Sequence, residues 1–158
     1  MTGNRTVMSL YDRPMWGSIR ARRMALQKCR SCGRFRYPPA PICPTCLAME
    51  YDWQELAGTG TILSWVIFHR QYLESFPPPY NVVAVALTEG PIFISNLIGP
   101  EPEGSWIGRA VELGYAEDVA GEVIPKVQLT QPPTTIIMAP AVRPGTSSPL
   151  DTSRPGSP

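Results

Sequence analysis

The chain has 158 residues, of which 43% are hydrophobic, and this is enough for one folded domain with a small appendage and a tail. It contains no continuous apolar run of membrane-spanning length, so we expect no membrane contact. The N-terminus lacks the basic-then-apolar layout of a secretory signal, and we therefore expect a cytoplasmic protein.

The net charge of +1 is unevenly distributed. Residues 1–36 carry nine basic side chains and one acidic side chain, whereas the rest of the chain carries five basic and twelve acidic ones. A basic end suits an anionic partner, such as nucleic acid, a phosphate-bearing cofactor or an acidic protein surface. The alternative is that these side chains form a solvated helix face.

The sequence predicts an N-terminal helical segment over residues 1–28. Asp12 and Pro14 are suitable for its first turn, and Met15, Trp16 and Ile19 place apolar side chains on one side. We expect Trp16 either to pack on the core of the chain or to dock into a partner.

All four cysteines fall in CRSCGRFRYPPAPICPTC, as two C-x2-C pairs ten residues apart. Each two-residue gap lets both thiolates of a turn face one ion, and four sulfurs in a tetrahedron suit structural zinc or a rubredoxin-like iron. Because a reducing compartment keeps thiols free, metal is favoured over disulfides. The sequence therefore predicts a zinc ribbon over residues 29–52, with one ion held by Cys29, Cys32, Cys43 and Cys46, and iron as the alternative.

Five β-rich runs follow the cysteines, at residues 58–69, 80–90, 91–99, 109–118 and 122–130. They predict a small antiparallel barrel or sandwich over residues 53–131, for which a five-stranded OB-fold barrel is the simplest choice. Several runs are apolar on both faces, so we expect the helix and ribbon, another protein, or both to cover the outer face. Residues 132–158 are rich in Pro and Ser, and we expect this tail to be largely disordered.

Three stretches together resemble a widespread acyl-CoA-associated family: PMW…MALQKCRSCGRFRYPPAPICPTC, W-x4-G-x-G-T-I-L-S-W, and PPYNVVAVALTEGPIFISNLIG. The resemblance covers roughly residues 8–130 and rests on Trp16, the four cysteines, Gly33, Pro38, Pro39, Pro44, Trp53, Gly58, Gly60, Ser64, Pro79, Tyr80, Gly90 and Gly99. Members of the family join an N-terminal helix, a rubredoxin-like zinc ribbon and an OB-fold, which implies a mostly β chain here.

The resemblance implies a non-catalytic role. Its members are small partners of thiolase-like enzymes: acetyl-CoA acetyltransferases, hydroxymethylglutaryl-CoA synthase assemblies and retro-aldolases that shorten sterol side chains. Relatives also accompany hot-dog-fold enoyl-CoA hydratases. We therefore expect this chain to dock on a catalytic subunit and to help form its acyl-CoA channel. The candidate partner or CoA-channel residues are Trp16, Arg20, Arg23, Arg34, Arg36, Trp65, His69 and Tyr80.

The residues themselves indicate no catalyst. A nucleophile needs a base within hydrogen-bonding reach, and the single histidine, His69, is flanked by Phe68 and Arg70. The rival function is nucleic-acid binding, which the basic end favours and the acidic, lysine-poor barrel opposes. Electron transfer through iron is the third hypothesis, although a small redox carrier has no need of an attached barrel.

Overall fold

The computed structural model describes residues 9–72 and 76–130, and these form one short helix and nine strands. The elements are α1 (Arg13–Arg20), β1 (Ala25–Cys29), β2 (Phe35–Arg36), β3 (Tyr51–Glu55), β4 (Thr59–Phe68), β5 (Tyr80–Leu87), β6 (Ile92–Ser95), β7 (Leu97–Ile98), β8 (Ala110–Glu117) and β9 (Val123–Leu129). The mostly β architecture that the sequence predicts is confirmed. The predicted disorder of the tail concerns residues outside the described part of the chain.

The strands form two sheets. The first contains β2, β1 and β3 in that order, all antiparallel, and carries the cysteines. The second contains six strands in the order β6-β5-β4-β8-β9-β7. Since only Asn96 separates β6 from β7, the two ends of this order are halves of one run of chain. The sheet therefore closes on itself as a barrel of five strand runs, which correspond to the five predicted ones.

Helix α1 is shorter than the predicted helical segment. Asp12 precedes it and Pro14 lies in its first turn, as the sequence predicts. The helix ends at Arg20, however, and residues 25–29 form a strand of the ribbon sheet instead of continuing the predicted 1–28 helix. The left-handed backbone of Arg22 (φ 57°) stops helical continuation, and the strand hydrogen bonds to β3 account for the change.

One continuous core joins the helix, ribbon and barrel. Met15 and Ile19 of α1 and Leu26 of β1 are buried in the same cluster as barrel residues such as Ile62 and Val85. Tyr37 of the ribbon also meets Phe93 of β6 edge-on, with ring centroids 5.6 Å apart. The ribbon sheet is thus packed onto the barrel and does not hang from it as a free appendage.

None of the helices in the described part of the chain has the length and apolar character to cross a bilayer.

Candidate metal centre and partner surfaces

The four cysteines converge on one point. Their Sγ atoms all lie within 4.8 Å of one another. Cys29 and Cys46 approach to 3.6 Å, and so do Cys32 and Cys43, so that each close pair joins one thiol from each C-x2-C turn. A tetrahedral ion with Zn–S bonds of about 2.3 Å sets its sulfurs roughly 3.8 Å apart. The sulfur cluster therefore fits one tetrahedrally coordinated metal ion.

The two C-x2-C turns have the same backbone construction. In the first, the N–H of Gly33 donates to the carbonyl of Cys29; in the second, the N–H of Leu47 donates to the carbonyl of Cys43, both at 2.9 Å. The residue after each second cysteine adopts a left-handed conformation, with φ of 73° at Gly33 and 62° at Leu47. Glycine suits this position, while Leu47 accepts a conformation that side chains disfavour.

Local hydrogen bonds favour thiolates in the cluster. The backbone N–H of Cys32 lowers the pKa of Cys29 to about 6, and the Ser31 N–H and the Arg36 side chain act in the same direction, against the effect of burial. Backbone N–H groups of Cys46 and Thr45 lower the pKa of Cys43. The Ala48 N–H also favours the Cys46 thiolate, but the neighbouring sulfurs and burial prevail and raise its pKa to about 12. A cation at the centre relieves this crowding of negative charge, so the donor set fits a zinc-type ion.

Arg36 holds the two turns together from inside the ribbon. Its side chain is 1% exposed, and its guanidinium lies 5.1 Å from the Tyr51 ring centroid. The two terminal nitrogens donate at 3.0–3.4 Å to five backbone carbonyls, those of Ala40, Pro41, Ala48, Met49 and Glu50. The terminal donors of Arg36 are therefore used within the fold, and its assignment as a partner or CoA-channel residue stays a prediction.

The two candidate arginines near the helix lie against the barrel and ribbon. Arg20 pairs with Glu122 at 3.4 Å and Arg23 pairs with Glu55 at 3.2 Å. Both pairs are exposed, so they leave the arginines within reach of a partner while partly neutralising them. Trp16 is half-buried and packs against the core, which is the first of the two roles expected for it.

Trp65 is directed to the inner side of the barrel. It packs against the core and stacks on buried Trp106, with centroids 5.8 Å apart and planes 12° apart. The strand register shifts between Ile62 and Ser64, and the extra residue, Leu63, reverses the alternation of faces after it. Trp65 is half-buried against the core and its neighbour Val66 is exposed, so the assignment of Trp65 as a partner or CoA-channel residue stays a prediction.

The remaining candidates are at the surface but in different places. Arg34 is exposed and lines a cavity of ≈ 350 Å³ beside Phe35, Tyr37 and Glu89. His69 is exposed just beyond the end of β4. Tyr80, at the start of β5, stacks on Phe68 with centroids 5.0 Å apart. The structure thus unites the four cysteines in one site but does not bring the other candidates together.

Sequence reasoning missed two residues that shape the barrel surface. Phe76 lies 5.5 Å from the Tyr80 ring, and the amine of buried Lys126 lies 5.1 Å from the Phe76 ring. Burial lowers the pKa of Lys126. The run of aromatic residues around three prolines in the 70–80 loop was the available signal for Phe76, whereas nothing in the sequence places Lys126 beside it.

Comparison with known proteins agrees with this architecture. Residues 16–51 match a family model described as the ChsH2 rubredoxin-like zinc ribbon domain, and residues 53–115 match the ChsH2 C-terminal OB-fold domain. A solved structure titled "Ltp2-ChsH2(DUF35) aldolase" superimposes with a TM-score of 0.71 at 32% identity, covering 79% of this chain and 98% of that one. This chain belongs to the ChsH2/DUF35 family.

Curated relatives of this ChsH2/DUF35 member match it over only part of their own length. A probable enoyl-CoA hydratase alpha subunit of Thermomonospora curvata is 37% identical over 107 residues, which is 67% of this chain and 34% of that protein. A DUF35 domain-containing scaffold protein of Pyrococcus furiosus is 31% identical over 93 residues, 54% of this chain and 63% of that protein. The chain therefore spans about a third of the hydratase subunit and less than two thirds of the scaffold protein. The predicted membership of a family that joins a rubredoxin-like zinc ribbon to an OB-fold is therefore confirmed.

Proposed function

We propose that this chain is a non-catalytic, zinc-stapled OB-fold subunit that docks on a thiolase-like acyl-CoA enzyme, an acyltransferase or retro-aldolase, and helps to form its acyl-CoA channel. The observation that carries the proposal is the likeness to the Ltp2-ChsH2(DUF35) aldolase chain, of which 98% is covered by this one. A helix, ribbon and barrel of this size therefore make up nearly the whole of that chain. The structure that contains it is named as an aldolase of two components, Ltp2 and ChsH2.

The metal centre supports a structural role. Four cysteine ligands complete the coordination of a tetrahedral ion and leave no open position for water or substrate. Zinc, once bound, would supply folding energy to the ribbon, and we propose one zinc ion in preference to iron. Free thiols held for metal suit a reducing compartment, which is why we also propose the cytoplasm as the location.

The charges favour protein docking over nucleic-acid binding. A basic cluster at the C-terminal end of the helix contains Arg20, Arg22 and Arg23, and each lies against a glutamate of the same chain, at Glu122, Glu117 and Glu55. Phosphate binding by these side chains would have to compete with the existing pairs.

The name of the T. curvata relative supports a second candidate, the partner of a hot-dog-fold enoyl-CoA hydratase.

The test begins with co-purification of the tagged full-length chain from its own cells. We expect a thiolase-like subunit in stoichiometric amount, identified by mass spectrometry, and about one zinc per chain by metal analysis. The purified catalytic subunit should turn over acyl-CoA with this chain present, and this chain alone should not. Recovery of a hydratase would favour the second candidate, while turnover by this chain alone would contradict the accessory role.

The variant His69→Ala provides the control for catalysis within this chain. Since His69 is exposed at a strand end, we expect the complex carrying the variant to retain its turnover number within about two-fold. A loss of a hundred-fold or more, with the complex still intact, would assign the exposed histidine a chemical role and refute a purely structural subunit.

A further inference from the structure

One face of the barrel carries no charge in its three neighbouring strands. The registers of β4, β5 and β6 place ten side chains on the outer side of the sheet: Thr61, Ser64, Val66, Phe68, Tyr80, Val82, Ala84, Ala86, Ile92 and Ile94. None of the ten is ionisable at neutral pH. We call this set the outer sheet face. An exposed antiparallel sheet normally alternates apolar and polar sides, so a second apolar side needs an explanation.

The outer sheet face is exposed in the described part of the chain. Val66 is 49% exposed, Ile92 56% and Ile94 57%. Helix α1 does not cover these side chains, because it packs against β1 and β9. The ribbon meets the barrel at Phe93, which points to the opposite side of β6 from Ile92 and Ile94. The chain's own helix and ribbon therefore leave the face open.

A preformed depression lies within the face. It has a volume of ≈ 320 Å³, and its lining includes Phe68, Phe76, Tyr80 and Ile94, with Asn96 among the polar groups. Stacking of Phe68 on Tyr80 and the position of Lys126 over Phe76 hold the aromatic rings in place. An aromatic pocket inside an apolar patch is the usual setting for an interface hot spot, where one large apolar side chain of a partner is anchored.

The floor of the depression is tied to the rest of the barrel. Lys126 donates to the side-chain oxygen of Asn96, whose amide nitrogen donates to the Asn81 carbonyl. The Asn81 side chain in turn accepts from the Leu97 N–H at 2.7 Å and donates to Glu101. These bonds fix the polar edge of the pocket before any partner arrives, which reduces the entropy lost on binding.

We propose that the outer sheet face is the surface on which the catalytic subunit docks, with a large apolar side chain of that subunit seated in the depression of Phe68, Phe76 and Tyr80. This inference rests on the proposed function. A face without charge matches an apolar surface, since a charged group opposite it would be desolvated without a partner. Arg70 is exposed just beyond the end of β4 and supplies a polar group at the rim.

Two other occupants are less suitable. Residues 131–158 contain one compact apolar cluster, Ile136–Met138, and three side chains are few for a face of ten positions. A second copy of the chain would also present ten uncharged positions, but the chain's similarity to a component of a two-component aldolase favours a different protein as the partner. A crosslinking probe on the face distinguishes both alternatives from the proposed partner, because it becomes attached to whichever protein segment covers the face.

The probe is a photo-crosslinking benzoylphenylalanine placed at position 94 of the full-length chain in its own cells. The control position is 119, where Val119 is 75% exposed in the turn between β8 and β9. We expect a light-dependent crosslink from position 94 to the co-purified catalytic subunit and none from position 119. A crosslink from position 94 to a second copy or to residues 131–158, or no crosslink within an intact complex, would overturn the assignment.

The Kd for the isolated catalytic subunit then measures how much the outer sheet face contributes to binding. Ile94→Asp places a carboxylate in the face, and we expect the Kd to rise at least about 30-fold, while Val119→Asp changes it less than two-fold. Ile92→Asp serves if the first variant is unfolded by circular dichroism. If the wild-type chain binds the catalytic subunit and the I94D variant binds it with the same Kd, only the assignment of this surface is refuted. Failure of the wild type to recover any thiolase-like subunit refutes the proposed function itself.

Discussion

The zinc ribbon and the barrel are neighbours in one core, yet they are stabilised in different ways. The barrel interior is aliphatic, with Ile62, Val83 and Val85 fully buried. The ribbon interior contains sulfur atoms and two buried polar side chains, Gln27 and Arg36. Gln27 accepts a hydrogen bond from the Ala40 N–H at 2.8 Å, so this interior is organised by directed contacts.

The two regions should therefore respond differently to mutation. Apolar burial contributes in proportion to area, so the barrel should lose stability gradually as methyl groups are removed. A metal site and a buried hydrogen-bond network depend on every member being present, so the ribbon should fail as a unit.

Removal of the metal should have the largest effect. We expect Cys43→Ser, or treatment with a strong chelator, to abolish the order of β1–β3, because metal binding contributes ~10–16 kcal/mol in comparable peptides. Two-dimensional NMR should show amide signals of residues 25–55 collapsing while most signals of β4, β5 and β8 persist. Low pH should act in the same direction, since protons compete with the metal for thiolates.

Ser31→Ala is the matched control for the metal prediction, because Ser31 lies exposed between two ligands and contributes no side-chain ligand. It should retain the metal and the ribbon signals. Simultaneous collapse of ribbon and barrel in Cys43→Ser would contradict separate modes of stabilisation.

Loss of the Arg36 side chain should rank second. Arg36→Met leaves five carbonyls without their guanidinium donor, and we expect the free energy of unfolding to fall by about 3 kcal/mol. Urea denaturation followed by circular dichroism measures this difference. Arg34→Met removes an exposed arginine two residues away and should cost less than about 0.5 kcal/mol. Equal losses in the two variants would show that the Arg36 network contributes nothing special.

Adding a methyl group at Gly60, between two barrel strands, should lower the free energy of unfolding by a smaller amount. A Cβ at Gly60 would lie 2.6 Å from the Ala86 carbonyl oxygen and 2.7 Å from a Val85 methyl, so β4 and β5 would have to separate. We expect Gly60→Ala to lower the free energy of unfolding by about 1–3 kcal/mol with the metal retained. Gly17→Ala meets no atom within 4 Å on the helix and should stabilise the protein by up to about 1 kcal/mol. Metal loss in Gly60→Ala would break the contrast between the regions.

Much of the fold and of the metal site could be predicted because their signals are local. The spacing of Cys29, Cys32, Cys43 and Cys46 contains the geometry of two turns, and the structure unites their sulfur atoms. Five strand runs were visible as apolar, β-branched segments, and each corresponds to a part of the barrel. The helical prediction extended too far because the pairing of β1 with β3 involves residues about 25 positions apart, which local patterns do not record.

The face of Trp65 illustrates a different limit. Its strand is apolar on both sides, so the sequence offers no contrast from which to assign an inner and an outer face. The bulge at Leu63 then reverses the alternation, and only the pairing of β4 with β5 reveals it. The sequence therefore placed Trp65 on a strand without revealing that its side chain faces the core.

By itself, the sequence determined the cysteines that form the cluster, the strand runs and the membership of a family, because each depends on residue types at short, fixed spacings. The tertiary structure alone decided that Arg36 is buried, that the arginines after the helix meet glutamates of the barrel and ribbon, and which side of β4 is free. These outcomes depend on backbone carbonyls, carboxylates and strand registers brought together from distant parts of the chain. Burial and pairing depend on residues that are far apart in the sequence, so a local sequence pattern does not predict them.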